Sequence, residues 1–477
     1  MQKKTKVVIT IGPATSTTKK IKELIELGVD VFRINFSHGD YTEHTQIIKK
    51  IRQISTQLDK TVAILQDISG PKVRIGKIEG VLELKMGDTI WLSKIPSLNR
   101  LTLNLSYPQI IDSIEANQEI YFADGTIKTI VVSKNEDSVE LKLLNSGKLT
   151  SRKGVNFPHT AIKLDAITPK DRADLEFGAK EKMDIVALSF VQSANDVIMA
   201  REILKSFGAN PLLIAKIEMS NAIENLEEII KVSDGVMVAR GDLGAELGFH
   251  KVPNLQKQII KLANFHAKPV ITATQMLSSM IDSPYPTRAE VSDIANAVYD
   301  GTDAVMLSDE TTIGRYPLEA VKILNDTILE AELNYSYHKD FISDATDAIA
   351  MSASLLSSFM QKDAIIVFTE TGFSAKSVSK YRPKNRIIAV TPSVEIQRQL
   401  KLSWGVEPMF VMEQFESITR MLNEFIIKAK DKGLITQTSK FIVTMGNVAG
   451  KAGSTNLIRV LDNCAIRKME ERFSKLR

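Results

Sequence analysis

The feature that constrains this chain most is a recurrence: short apolar runs, each followed by a stretch whose apolar positions fall at helical spacing. The runs are Lys6–Ile11, Val31–Ile34, Val62–Gln66, Ile185–Leu188, Leu212–Lys216, Gly235–Ala239, Val270–Ala273 and Ala304–Leu307. Runs that are apolar throughout and bounded by turn residues read as buried parallel strands. Between the first two, Ile21, Leu24 and Ile25 form one stripe, with Ser16 or Thr17 placed to cap the helix and Gly28 to end it. A longer stripe, Ile47, Ile48, Ile51, Ile54 and Leu58, follows the second. Eight strand–helix units in about 250 residues is the count for a closed α/β barrel. Several runs have an aspartate just ahead of them (Asp30, Asp184, Asp234 and Asp303), which reads as polarity in helix-to-strand turns.

The alternation breaks once and is replaced once. From about Lys72 to Asn156 the segments are short and β-rich, such as Thr89–Leu92, Glu119–Phe122, Ile127–Val132 and Ser138–Leu144. A small β domain is therefore expected as an insert after the third strand. Beyond a helical stretch at Leu318–Leu333, strand candidates at Ala364–Phe368, Ile387–Val390, Pro408–Val411, Phe441–Met445 and Leu457–Leu461 predict an open α/β unit. The expected division is residues 1–70 and 158–342 for the barrel, 71–157 for the insert, and 343–477 for the last domain. A length of 477 residues requires more than one core. A net charge of +4 without long basic tracts favours small anionic ligands and gives no nucleic-acid face. Cys464 is the only cysteine, which excludes an internal disulfide. No apolar stretch approaches the ~18 residues of a membrane span, and the basic start lacks a signal-peptide core, so a cytoplasmic location is expected.

Chemistry in such a fold belongs at the carboxyl ends of the strands. The fifth run ends in Lys216-Ile217-Glu218, and alternation points Lys216 and Glu218 to the same side. The sixth ends in Arg240-Gly241-Asp242. Two carboxylates as hard oxygen donors suit Mg²⁺ shared with a substrate phosphate, and Lys216 would neutralise a transferring phosphoryl group or an enolate oxygen. Arg240 is expected in a structural ion pair, and Glu246 is left outside the site. Arg33 and Asn35-Phe36-Ser37-His38-Gly39 end the second strand, where an arginine could clamp an anion or equally belong to a polar loop. Asp67 ends the third strand. Thr274 follows the seventh, where its hydroxyl could orient water or substrate. Thr369, Thr371, Gly372 and Ser374 join a strand to a helix start, which suits an anion cradle as well as simple N-capping. Neither a G-x-x-x-x-G-K-[ST] nor a G-x-G-x-x-G after a strand is present, so P-loop and dinucleotide sites are unsupported.

Taken together, T-I-G-P-A-T, R-I-N-F-S-H-G, G-P-K-V-R, K-G-V-N-F-P, A-K-I-E, M-V-A-R-G-D-L-G, T-A-T-Q-M-L and M-L-S-D-E-T resemble pyruvate kinase nearly end to end. The resemblance implies an α/β fold: a (β/α)₈ TIM barrel with an inserted small β-barrel lid domain and a C-terminal open α/β regulatory domain, usually as a homotetramer. It implies phosphoryl transfer from phosphoenolpyruvate to ADP, giving pyruvate and ATP in the last step of glycolysis. Glu218 and Asp242 are similar to the family's Mg²⁺ ligands, with Mn²⁺ as an alternative ion, and Lys216 to its transition-state lysine. Arg33 would contact the substrate phosphate. Gly241, Asp242 and Thr274 would meet the substrate, Thr274 near the carbon that is protonated. Asn35, Arg74 and Lys153 match nucleotide contacts. Asn35, Ser37, Asp67 and Ile68 occupy the positions of a monovalent-cation site. Thr369, Thr371, Gly372 and Ser374 match the family's effector loop, which implies a phosphorylated allosteric ligand of unspecified identity. Where many members read D-T-K-G-P-E, this chain has Asp67-Ile68-Ser69-Gly70-Pro71-Lys72. A lysine at that place implies a tethered ammonium instead of K⁺, so K⁺ independence is expected. A barrel lyase acting on a similar enolate would not need a lid carrying Arg74 and Lys153. A non-catalytic sensor would not need Lys216, Glu218, Asp242 and Thr274 intact.

Overall fold

The computed structural model describes residues 3–95, 101–123, 125–158, 166–341, 344–361, 363–413, 417–436, 438–446 and 455–474. The expected domain boundary at residues 342–343 lies outside them. Eight parallel strands close into a barrel. They are β1 (Lys6–Thr10), β2 (Val31–Asn35), β3 (Ala63–Asp67), β4 (Ile185–Leu188), β5 (Leu212–Ile217), β6 (Gly235–Ala239), β7 (Val270–Ala273) and β8 (Ala304–Leu307). Each pairs with its sequence neighbours, and β1 closes on β8 through Lys6 opposite Ala304 and Ile9 opposite Leu307. Their apolar runs are buried on both faces, inside among barrel residues such as Val8, Leu65, Ile214 and Met306, and outside against the helices. The first helix, Thr18–Glu26, is capped by Thr17, whose side chain accepts from the amide of Lys20.

The aspartates ahead of the strands do more than hold turns. Asp30, Asp184 and Asp303 are buried. In all four cases one carboxylate oxygen accepts the first free amide of the preceding strand: Val7 (3.0 Å) for Asp30, Ile64 (2.7 Å) for Asp184, Leu213 (2.9 Å) for Asp234 and Val270 (3.1 Å) for Asp303. Each also carries a cation, Lys3 with Lys401, Arg52, Arg201 and Arg382 respectively. The expectation of plain turn polarity is corrected by these bonds. The aspartate leading each even-numbered strand ties it to the odd-numbered strand before it, and the cation compensates the buried charge.

The insert leaves after β3 and returns before β4. Its strands Val155–Asn156, Glu119–Phe122, Ile127–Lys134, Ser138–Leu143, Thr89–Ser93 and Thr102–Leu103 form a six-stranded sheet, and Leu82–Leu84 pairs with Gly147–Leu149. One apolar cluster, including Ile90, Leu92, Phe122 and Leu141, holds it together. The last domain has five strands, β9 (Ala364–Phe368), β10 (Arg386–Thr391), β11 (Val406–Val411), β12 (Phe441–Gly446) and β13 (Thr455–Leu461), in the order β11-β10-β9-β12-β13. All pairs are parallel except β12 with β13. This domain is fastened to the amino-end side of the barrel. Arg382, 1% exposed, pairs there with Asp303 and donates to the side chain of Asn264 and the carbonyl of Gly301. The opposite, carboxyl-end rim is left to the site. No helix among the described residues is long and apolar enough to cross a membrane.

Candidate active site

Seven strand ends meet on that rim and bring their polar groups to one cluster. Lys216, near the end of β5, donates to the Ser189 hydroxyl at 2.7 Å and lies 2.9 Å from Glu218 Oε1 and 3.3 Å from Asp67 Oδ1. Burial works against its charge, but Asp67 and Glu218 outweigh that and hold its pKa above the ordinary lysine value. Asp67 resists burial in the same way: Lys216 and Arg33 keep it below the usual carboxylate range. Arg33 Nε donates to Asp67 Oδ2 at 2.7 Å, and its Nη1 donates to the Thr10 hydroxyl at 2.8 Å. The guanidinium is thus fixed rather than free in a polar loop.

Glu218 is 1% exposed and accepts the amide of Phe190 at 2.8 Å. Burial pushes its carboxyl pKa up and the nearby charge of Asp242 adds to the push, although Lys216 opposes both. Asp242 accepts from the ammonium of Lys72 at 2.9 Å. Two hard carboxylates that need positive charge between them fit a divalent cation. Among the described residues no group of three or more His, Cys, Asp or Glu could hold a metal. Two protein carboxylates, with the rest of the shell from substrate and water, is what Mg²⁺ commonly accepts. Gly241 donates its amide to the Thr274 hydroxyl at 2.9 Å, and Thr274 itself sits at φ +71°. Arg240 turns away from the cluster, paired with Asp293 at 2.6 Å and bonded to the carbonyls of Ala273 and Thr274, the ion pair expected for it.

Family models described as "Pyruvate kinase, barrel domain" and "Pyruvate kinase, alpha/beta domain" match residues 2–321 and 347–461. A "Pyruvate kinase" of Staphylococcus aureus is 43% identical over 474 residues, covering 96% of this chain and 80% of that protein. "Pyruvate kinase 2" of Synechocystis is 42% identical over 469 residues, covering 96% and 79%. The chain belongs to the pyruvate kinase family. The barrel and the C-terminal α/β domain of pyruvate kinase are therefore the architecture described above.

The remaining residues expected from the resemblance fall in three places. Asn35, Ser37, Asp67 and Ile68 stand together, each hydrogen-bonded within the chain. Asn35 Oδ1 accepts the Ser37 amide at 3.1 Å, Ser37 bonds Ser69 at 3.2 Å, and the Ile68 carbonyl accepts from Ser189 at 2.7 Å. Arg74 and Lys153 lie on the two paired segments that join the insert to the barrel, Arg74 opposite Gly154 and the amide of Ile75 on the Lys153 carbonyl at 3.0 Å. The Arg74 guanidinium donates to the Arg152 carbonyl at 3.1 Å, within the insert. Thr369, Thr371, Gly372 and Ser374 follow β9, where the strand order reverses direction, the usual ligand position of an open sheet. Gly372, at φ +83°, precedes the helix Phe373–Lys380, whose first turn has no side-chain cap. Ser374 hydrogen-bonds the Thr455 hydroxyl.

Thr10, Ser189 and Phe190 belong to the cluster and were not nominated from sequence. For Ser189 the signal was available, since it directly follows the apolar run Ile185–Leu188 as Asp67 follows its own. Nothing local marks the main chain of Phe190 as a hydrogen-bond donor to Glu218.

Proposed function

We propose that the rim cluster is where this chain carries out the pyruvate kinase reaction, with Lys216, Arg33 and Thr274 as its catalytic side chains. The reaction moves the phosphoryl group of phosphoenolpyruvate to ADP. The bond from phosphorus to the enol oxygen breaks as one to a terminal phosphate oxygen of ADP forms, the electron pair stays on the enolate, and its methylene carbon takes a proton to give pyruvate. The single observation that carries the assignment is Lys216, its side chain 12% exposed and held charged between Asp67 and Glu218 at a barrel strand end. Such a fixed ammonium stabilises negative charge as it develops on the enolate oxygen and the transferring group, without reorganisation.

Arg33, held by Asp67 and Thr10, presents its remaining N–H donors to the substrate phosphate. Glu218 and Asp242 would hold Mg²⁺, with Mn²⁺ as an alternative; when bound it supplies Lewis-acid neutralisation of the phosphoryl oxygens. Gly241 and Asp242 bind substrate, and the Thr274 hydroxyl lies beside the carbon that is protonated. Residues 71–157 act as a lid whose Arg74 and Lys153, together with Asn35, bind the nucleotide, and closure excludes water that would hydrolyse the phosphoryl group. The barrel spans residues 1–70 and 158–342. Residues 343–477 form a regulatory domain whose Thr369–Ser374 loop takes a phosphorylated effector, in a homotetramer. Lys216→Met should remove at least about 10³-fold of kcat in a coupled assay for ADP-dependent pyruvate release, the scale of losing a preorganised charge partner. Full turnover in that variant refutes the assignment.

The Lys72 ammonium stands 2.9 Å from Asp242. That tethered charge at the site supports a reaction that needs no K⁺. Activity should be the same in K⁺ and tetramethylammonium buffers, and Lys72→Glu should create a K⁺ requirement. Loss of most wild-type activity without K⁺ would rule this out.

A further inference from the structure

Between the insert and the cluster lies a two-residue turn with contacts to both. Ser189 is 5% exposed. Its hydroxyl has one proton, which it gives to the Ile68 carbonyl at 2.7 Å, leaving its lone pairs for the Lys216 ammonium, also at 2.7 Å. Asp67 Oδ1 stands farther away at 3.4 Å. Ile68 begins the segment that leads into the insert, and its own amide is bonded to Ala187 at 3.1 Å. Two residues on, Gly70 sits at φ +65° with no room for a side chain. A Cβ there would lie 2.9 Å from the Ser189 carbonyl oxygen and 3.0 Å from the Phe190 ring. The exit segment therefore rests directly on this turn.

Phe190 completes the link. Its φ is +57°, a conformation unfavourable for an aromatic residue and retained only where surrounding contacts impose it. In that conformation its amide points to Glu218 Oε2 at 2.8 Å. Its ring lies under the Lys72 ammonium, 5.9 Å from centroid to nitrogen, while Lys72 also reaches Asp242. The segment 68–72, Lys216, Glu218 and Asp242 thus share one small body.

We propose that Ser189 and Phe190 are positioning residues that couple the hinge of the insert to Lys216 and Glu218, so that movement of residues 68–72 sets the catalytic ammonium and the carboxylate together. The proposal rests on the assignment of the rim cluster as the pyruvate kinase site. In this scheme the Ser189 hydroxyl transmits the position of the Ile68 carbonyl to Lys216, and the Phe190 amide sets Glu218.

Steady-state kinetics on the full chain test it. Ser189→Ala should lower kcat by about 10- to 100-fold, the loss expected when a reacting group is displaced by about 1 Å, with KM for phosphoenolpyruvate changed less than about threefold. Ser189→Thr keeps the hydroxyl and should recover most of kcat. In a Lys216→Met background, Ser189→Ala should cost nothing further, because the hydroxyl acts through that lysine. Phe190→Gly keeps the amide and accepts φ +57°, but removes the ring under Lys72 whose packing fixes that amide on Glu218. It should melt within about 3 °C of wild type, because relieved strain offsets the lost ring contacts, yet lose about tenfold in kcat. Wild-type kcat in both Ser189→Ala and Phe190→Gly, or fully additive losses in the double variant, overturns the coupling while leaving the site assignment intact. Retained turnover in Lys216→Met alone overturns the site assignment itself.

Discussion

Lys216 is surrounded by three oxygen partners, Asp67 at the end of β3, Ser189 after β4 and Glu218 just past the end of β5. Only the last pairing was legible locally, because alternation places residues i and i+2 on one face. Glu246 shows the limit of reading charge alone. It lies one helical turn beyond Asp242, buried, with one carboxylate oxygen lacking any partner and the other 3.4 Å from the Ser220 hydroxyl. Burial pushes its pKa up to about 7. The folded chain therefore holds this proton more tightly than the unfolded chain, whose value is near 4.5. Its contribution is undiminished below about pH 4.5 and stability falls as pH rises from there towards 7. Glu246→Gln should remove that loss, raising stability at pH 8 by on the order of 2–3 kcal/mol and changing little at pH 4. Denaturant titrations at the two pH values measure the difference. An unchanged pH slope would mean that the carboxylate is ionised without penalty.

The strands of the barrel were the most readable elements, since a four- or five-residue apolar run between turn residues has few other homes in a βα repeat. Four of the runs, Ile185–Leu188, Gly235–Ala239, Val270–Ala273 and Ala304–Leu307, coincide with the observed strands, and the rest differ by a residue or two at their ends. The path of the chain just past a strand end was harder to read. The charged triplet Arg240-Gly241-Asp242 is already the first turn of the helix Arg240–Leu247, with no loop between. That immediate turn is what sets Arg240 against Asp293 and leaves Asp242 to Lys72. At the other end of β6, Gly235 allows a close approach to β7. A Cβ there would lie 2.6 Å from the Pro269 carbonyl oxygen and 2.7 Å from Ile214 Cδ1. That carbonyl is committed to the Val236 amide at 3.0 Å, so the backbone cannot yield. Gly235→Ala should destabilise the chain by about 2–3 kcal/mol through overpacking, read as a drop in thermal midpoint. A midpoint within 1–2 °C of wild type, about the shift expected for a negligible change in a chain of this size, would show that the strands can separate there.

At the scale of the molecule, the candidate site and the C-terminal domain sit at opposite ends of one barrel. The C-terminal domain is fastened at the amino ends, where Asp303 ties β8 to β7, pairs with Arg382 and accepts the Trp404 amide at 3.1 Å. Arg382 also stacks over the Trp404 ring, 5.1 Å from its centroid. One aspartate therefore serves strand closure and domain docking together. Asp303→Ala would leave a guanidinium buried without its counter-charge, which costs about 3–5 kcal/mol. The joined variant Asp303→Leu with Arg382→Met should recover a large part of that loss, since an apolar pair of similar volume avoids the unpaired charge. Thermal unfolding of the two variants distinguishes them. If the double variant is as unstable as the single one, the strand tie matters more than the charge.

Local order along the chain determined how many strands there are, where the insert interrupts them, that the last domain is a separate open sheet, and which strand ends carry charge. Those properties arise from neighbours a few residues apart, so periodicity and turn residues suffice to read them. Only the tertiary structure decided which charges meet. Lys72 reaches Asp242 across 170 residues of chain, and Arg382 reaches Asp303 across 79. Barrel closure and register bring such groups within 3 Å, and a one-dimensional pattern carries no information about either distance. The same holds for Ser189 and Phe190, whose places between Ile68 and Lys216 exist only once β3, β4 and β5 lie side by side.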